Sequence, residues 1–298
     1  MSNYFRGKKP IGIFDSGIGG LTVLKEILNV MPWEDTVYLG DTARVPYGTK
    51  SVETVTRYSF ENARFLLKFD IKLLVVACNT ASAYCLRQLQ QELPIPVIGV
   101  IEPGARKAVE VTKTKRIGVI GTEGTIRSNA YVDAIMRIYG NGKTMIAEHG
   151  DKHFDRYFEI TSGDVVIFTK ACPLFVPLSE EGWTNNDVAR LTVEHYLKGL
   201  KSNRIDTLIL GCTHYPLLKD VIQKVMGENV ALIDSGRETA ADAAKCLMDR
   251  GIIGISSSKQ GSHRFFVTDS PDRFKQVGSK FMTANVDNVE LINVEKAE

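Results

Sequence analysis

This 298-residue chain lacks three things: a paired-cysteine motif, a membrane-length apolar run and a charge of one sign. Its five cysteines are widely spaced and include no Cys-x-x-Cys pair, which argues against a zinc ribbon or a disulfide framework. No apolar stretch reaches the roughly 18 residues a membrane helix needs. The opening MSNYFRGKKP has no apolar leader region. The expectation is a soluble, cytoplasmic protein with no membrane partner, whose thiols are free and either buried or reactive. Basic and acidic residues nearly cancel, 37 against 35, so there is no broad field to attract nucleic acid. The one basic group, Arg6, Lys8 and Lys9, reads as a solvated arm.

What the chain does have is enough apolar residue, 44%, to bury a sizeable core, and a length that suits two domains. Short β-branched runs alternate with amphipathic stretches. Strands are expected near 11–14, 36–39, 73–77, 97–100, 116–120, 207–210, 231–233 and 264–267. Helices are expected near 21–30, 53–68, 81–93, 128–139, 188–200, 217–225 and 238–250. That alternation reads as α/β with mostly parallel sheets, and in such sheets the working loops follow the carboxyl ends of the strands. Those loops are Asp15-Ser16-Gly17-Ile18-Gly19-Gly20, Cys78-Asn79-Thr80-Ala81-Ser82, Gly121-Thr122 and Gly211-Cys212-Thr213-His214-Tyr215-Pro216.

The chain also repeats itself weakly. Ile11-Gly12-Ile13-Phe14 precedes a strand ending in Cys78-Asn79-Thr80, and Ile117-Gly118-Val119-Ile120 precedes one ending in Cys212-Thr213-His214. The first strand lies 67 residues before its cysteine in one copy and 95 in the other. The 28 extra residues fall in or near 146–169. Two similar lobes, each presenting a cysteine from the same strand end, would follow.

Most cysteines are small buried hydrophobes, and Cys85 and Cys246 fit that description, while Cys172, before Pro173, is not placed. Cys78 and Cys212 differ. Each ends a buried strand and can sit near a helix start, where amides and dipole favour a thiolate. Two such thiols suit inversion of a carbon centre, in which one group removes a proton from one face and another returns one to the opposite face. Asp15 is either a helper of Cys78 or a helix cap. His214 can tune a thiol; as half of a Cys-x-His pair with no companion cluster it is a weak metal ligand. Glu180 and Glu181 read as a solvated pair, with nothing in their spacing to select one. The Gly17-x-Gly19-Gly20 turn, with Asp41 further on, admits a dinucleotide reading, although the spacing is not GxGxxG. The same turn, with Ser16, Asn79, Thr80 and Thr213, could instead hold a carboxylate or ammonium group. Pro46-Tyr47-Gly48 is a turn that could lid the site.

Taken together, the Asp15–Gly20 loop, Asp41-Thr42-Ala43-Arg44-Val45-Pro46-Tyr47-Gly48, Ala77–Ser82, Cys172-Pro173-Leu174-Phe175-Val176-Pro177-Leu178, Gly211–Pro216 and the Val267–Pro271 run resemble the signatures of bacterial glutamate racemases. The resemblance implies two pseudo-symmetric three-layer α/β domains, residues 1–103 plus 235–298 and residues 104–234. It implies interconversion of L- and D-glutamate for peptidoglycan synthesis, with neither cofactor nor metal, by a chain that is often a homodimer. By motif it assigns Cys78 and Cys212 as acid/base thiols, Asp15 as helper of Cys78, and Glu180 and His214 as helpers of Cys212. Substrate contacts carry over to Asp15, Ser16, Tyr47, Gly48, Asn79, Thr80, Thr213 and His214. Residues 142–170 depart from the family pattern, being longer and more polar. An aspartate racemase, a dinucleotide-dependent oxidoreductase and a non-catalytic sensor stay open as alternatives.

Overall fold

Ile11, Ile13 and Phe14 have no exposed surface, nor do Leu73, Leu74, Val75, Leu208, Ile209 and Leu210. Strands apolar on both faces need cover on both sides, which is what parallel sheets flanked by helices supply. The computed structural model describes residues 9–140, 144–150, 156–254, 260–282 and 286–294. Within them lie the strands β1 (Ile11–Asp15), β2 (Thr36–Gly40), β3 (Leu73–Val76), β4 (Val97–Gly99), β5 (Arg116–Gly121), β6 (Thr144–His149), β7 (Tyr157–Ser162), β8 (Val165–Ala171), β9 (Thr207–Gly211), β10 (Ala231–Asp234), β11 (His263–Val267) and β12 (Val289–Leu291). The α-helices are α1 (Leu21–Val30), α2 (Val52–Leu67), α3 (Asn79–Glu92), α4 (Ile101–Val111), α5 (Glu123–Arg127), α6 (Ala130–Tyr139), α7 (Phe175–Glu181), α8 (Asp187–Ser202), α9 (Lys219–Met226), α10 (Ser235–Asp249) and α11 (Pro271–Met282).

The chain divides into two compact units, changing over after Val100 and after Ser235. The sequence boundaries at 103/104 and 234/235 shift accordingly. The first shift has a physical cause: α4 packs along β9 and β10, so all of it belongs with the second unit.

The first unit carries a six-stranded sheet in the order β12-β11-β2-β1-β3-β4, with every pairing parallel. Its core gathers Phe14, Leu39, Val55, Leu66, Leu74, Val76 and Phe266. The second unit carries the order β10-β9-β5-β8-β7-β6. The pairs β10–β9, β9–β5 and β5–β8 are parallel, whereas β8–β7 and β7–β6 are antiparallel. Its core gathers Phe168, Phe175, Val193, Leu197, Leu208, Leu210 and Tyr215. The fold is therefore α/β with mostly parallel sheets, and the β6–β7 hairpin accounts for much of the surplus in the second copy of the repeat.

The repeat itself is structural. Gly12 pairs with Leu74 and Gly118 with Leu208, each partner lying four positions before its cysteine. A Cβ on Gly12 would come within 2.5 Å of Ile71 Cδ1, and one on Gly118 within 2.5 Å of Ile205 Cδ1. Both isoleucines lie seven residues ahead of the cysteine, so the same close approach recurs in both units. Leu74 and Leu208 then pair onward with Val97 and Leu232. Each unit thus delivers its cysteine from a central strand flanked on both sides.

Candidate active site

In the first unit, the Ala77 amide donates to the Phe14 carbonyl at 2.9 Å, which sets Asp15 and Cys78 at the ends of neighbouring strands. Both are buried. Asp15 Oδ2 accepts from the Gly17 amide at 2.9 Å. The α1 N-cap is Gly20 and has no side-chain cap, so this carboxylate shapes its own loop rather than capping the helix. Gly20 is needed because a Cβ there would meet Asp15 Cβ at 2.4 Å. The Tyr38 hydroxyl donates to the Gly17 carbonyl at 2.9 Å and fixes the loop from below. Burial, then the nearby Asp15 and Cys78, push the Tyr38 phenol well above its ordinary range, so it stays a donor. Cys78 is the N-cap of α3, where free amides and the helix dipole favour a thiolate. Ser82 anchors that helix by donating to the Val76 carbonyl at 2.9 Å. Asn79 and Thr80, in the first turn, are buried beside it, and Ser16 is half-buried.

Asp41, which sequence reasoning noted as a possible ribose acid and as the first residue of a family motif, is fully buried and heavily used. Arg44 Nε donates to both its oxygens, at 2.9 and 2.8 Å, and Thr268 Oγ1 donates to Oδ1 at 2.9 Å. The Tyr47 hydroxyl donates to Oδ2, and Asn62 Nδ2 donates to that hydroxyl at 3.1 Å. A carboxylate so occupied has no place for a ribose hydroxyl, and the dinucleotide reading loses its acid. The side chain of Tyr47 is likewise turned inward. As one of the residues expected to touch substrate, it has only its backbone to offer, along with that of Gly48. Both open the short 3₁₀ turn Tyr47–Thr49, where amides lack intrahelical partners.

In the second unit, Cys212 Sγ lies 3.9 Å from His214 Nδ1, and His214 Nε2 lies 3.2 Å from Glu180 Oε1. An ionised Glu180 only accepts, so Nε2 carries the hydrogen of that bond, and Nδ1 faces the thiol. Thiol, imidazole and carboxylate form one line. Glu181 is exposed, so the structure picks one of the two adjacent glutamates. Thr213 is buried between the cysteine and the histidine. Cys212 is followed by a 3₁₀ turn, Tyr215–Leu218, before α9, so the helix-start expectation that fits Cys78 does not transfer to it. A cavity of about 560 Å³, lined by Ile126, Arg127, Ile146, Arg156 and Phe158 among others, contains none of these relay residues. Among the described residues, no group of three or more His, Cys, Asp or Glu side chains could hold a metal ion, and no helix is long and apolar enough to cross a membrane.

A glutamate racemase from Geobacter metallireducens is 56% identical over 287 residues, spanning 96% of this chain and 97% of that one. The chain belongs to the glutamate racemases. A family model described as Asp/Glu/Hydantoin racemase also matches residues 20–155. Among solved structures, a glutamate racemase isoform from Bacillus anthracis superposes with a TM-score of 0.84 at 40% identity, covering 96% of this chain and 97% of that one. The glutamate racemase from Francisella tularensis, solved in complex with D-glutamate, gives 0.83 at 33% identity, covering 97% and 99%. Glutamate racemases are isomerases, and the fold and family expected from the motifs are those found.

Sequence reasoning gave no role to Tyr38 or Ser179, which hold the site loops without lying in any signature motif, nor to Tyr215, which it quoted only as part of the Gly211–Pro216 run. It also missed the role of Asp41. The one available signal was that Asp41, Arg44 and Thr268 all lie in runs it had quoted for other reasons.

Proposed function

We propose that this chain interconverts L- and D-glutamate by passing the Cα proton between two thiols, with neither pyridoxal nor metal. One observation supports this above the rest: two equivalent strand ends each supply a buried cysteine, Cys78 with Asp15 at the end of the neighbouring strand and Cys212 in line with His214 and Glu180. The Cys78 thiolate, or Cys212 in the reverse direction, removes the Cα proton. The other thiol then delivers a proton to the opposite face. Asp15 serves Cys78, while His214 and Glu180 serve Cys212. The carbanion-like state needs fixed donors. The Tyr47–Gly48 amides, Ser16, Asn79, Thr80 and Thr213 are the groups that would hold the substrate carboxylates and ammonium. The product, D-glutamate, is a cell-wall precursor, and we place the enzyme in the cytoplasm as a homodimer.

The test is optical rotation of L-glutamate incubated with purified protein, without added cofactor, in deuterated water. Rotation is expected to decay to zero with deuterium entering at Cα, and L-aspartate under the same conditions is expected to keep its rotation. Cys78→Ala and Cys212→Ala should each lower turnover by at least about 10³-fold, the upper range for loss of a positioned acid or base. Full turnover in either single variant ends the two-thiol scheme. A sedimentation mass of one chain rather than two ends the homodimer.

A further inference from the structure

The relay in the second unit is assembled from two segments far apart in sequence. Cys212 and His214 follow β9, whereas Glu180 rides on α7, which follows β8. Something must hold the two segments at the separation that leaves His214 Nε2 3.2 Å from Glu180 Oε1. We infer that Tyr215 is that brace, a positioning residue for the relay, with Ser179 as a second strut. This inference rests on the proposed role of Glu180 and His214.

Tyr215 grips both segments. Its amide donates to the Cys212 carbonyl at 3.1 Å, which closes the turn that presents the thiol. Its hydroxyl donates to the Cys172 carbonyl at 2.8 Å, the same oxygen that accepts the Phe175 amide at 3.1 Å at the start of α7. Its ring meets Phe175 edge-on, with centroids 5.1 Å apart. The side chain is fully buried. Burial, then the nearby Cys212 and Cys172, raise the phenol well above its ordinary range, so the hydrogen it donates stays in place. Ser179 binds the far side. Its hydroxyl lies 2.8 Å from the Phe175 carbonyl oxygen and 3.1 Å from that of His214. Glu180, next along the helix, is thereby held between two ties to the His214 segment.

The test is a double-mutant cycle between Tyr215→Phe and Glu180→Gln in the full-length enzyme, read as kcat and KM for glutamate racemisation. Tyr215→Phe removes one hydroxyl and leaves the ring packed on Phe175. It is expected to lower kcat about fivefold or more, the scale of one buried hydrogen bond, with KM within about twofold. In the double variant the loss should equal that of Glu180→Gln alone, because a brace has no effect once the group it places is gone. Two losses that multiply, or full kcat in Tyr215→Phe, overturn the inference while leaving the relay intact. Full activity in Glu180→Gln removes the relay itself, and the brace with it. If Tyr215→Phe is unfolded by circular dichroism, Ser179→Ala enters the same cycle, with the same two outcomes.

Discussion

Glu180 and Glu181 are chemically identical neighbours with unlike surroundings, and only Glu180 reaches an imidazole. Glu180→Gln is expected to lower kcat about 10- to 100-fold, the low end for loss of an acid/base helper, whereas Glu181→Gln should leave steady-state racemisation unchanged. The five cysteines sort in the same way. Cys85 is buried, and burial pushes its thiol up to about 11, while its Sγ donates to the Ala81 carbonyl at 3.2 Å. Cys172, also buried, is pushed higher still by burial, with Lys170 opposing. Neither is a nucleophile at neutral pH, since the thiolate is the reactive form. Cys246, expected to be buried, is half-exposed and should alkylate before either, as peptide mass spectrometry of a timed iodoacetamide reaction would reveal. Burial also ties Cys85 to stability. Its folded-state proton is held more tightly than its unfolded one, so its contribution is complete below pH 9 and is lost as pH rises toward about 11. Urea midpoints of the wild type should fall more steeply across that window than those of Cys85→Ala.

The helices and strands differ in how openly their sequences announce them. Helix α8 was legible from the amphipathic pattern over 188–200, but its cap was not singled out: the Asn186 side chain accepts from the Ala189 amide at 2.9 Å. Asn186→Ala should cost about 1 kcal/mol, the usual value of a lost cap, read as a lower urea midpoint with racemase activity kept. Helix α4 was not legible. It contains Pro103-Gly104, which breaks a helix interior but is tolerated in a first turn. Tertiary contact then asks for the glycine, since a Cβ there would sit 3.1 Å from Ser235 Cβ. Helix α11, which was not among the expected helices, starts on Pro271, whose fixed φ suits a first helical position. Strands β6 and β7 lacked any clear alternation: Met145 and Ile146, adjacent and both apolar, are both exposed on the edge strand β6. Strand β8 was hidden differently. Its apolar run includes Lys170, whose buried Nζ donates to the Arg156 carbonyl at 2.6 Å, a partner invisible in sequence. At the site, the paired cysteines were readable from strand ends alone. Singling out Glu180 needed either the family resemblance or the coordinates, because a carboxylate on a separate helix leaves no spacing rule.

Across the whole chain, the last segments close the first sheet. Strand β11 lies beside β2, and Thr268 just beyond it reaches Asp41, while Thr42 Oγ1 donates to the Asp269 carbonyl at 2.6 Å. The Val267–Pro271 run, notable in sequence only as a family signature, is thus part of the frame around the Tyr47–Gly48 turn. A chain ending at Ser262 would leave β2 with an open edge and Asp41 short of a donor, and open apolar edges aggregate. It should appear in the pellet of a lysate in which the full chain stays in the supernatant.

The discontinuous first unit also sets a timetable for the newborn polypeptide. As synthesis proceeds, residues 101–235 leave the ribosome as one uninterrupted stretch and can close their own core. Residues emitted earlier must wait, because β2 stays unflanked on one side until β11 emerges. The strand ends carrying Asp15 and Cys78, though encoded first, are therefore expected to mature last.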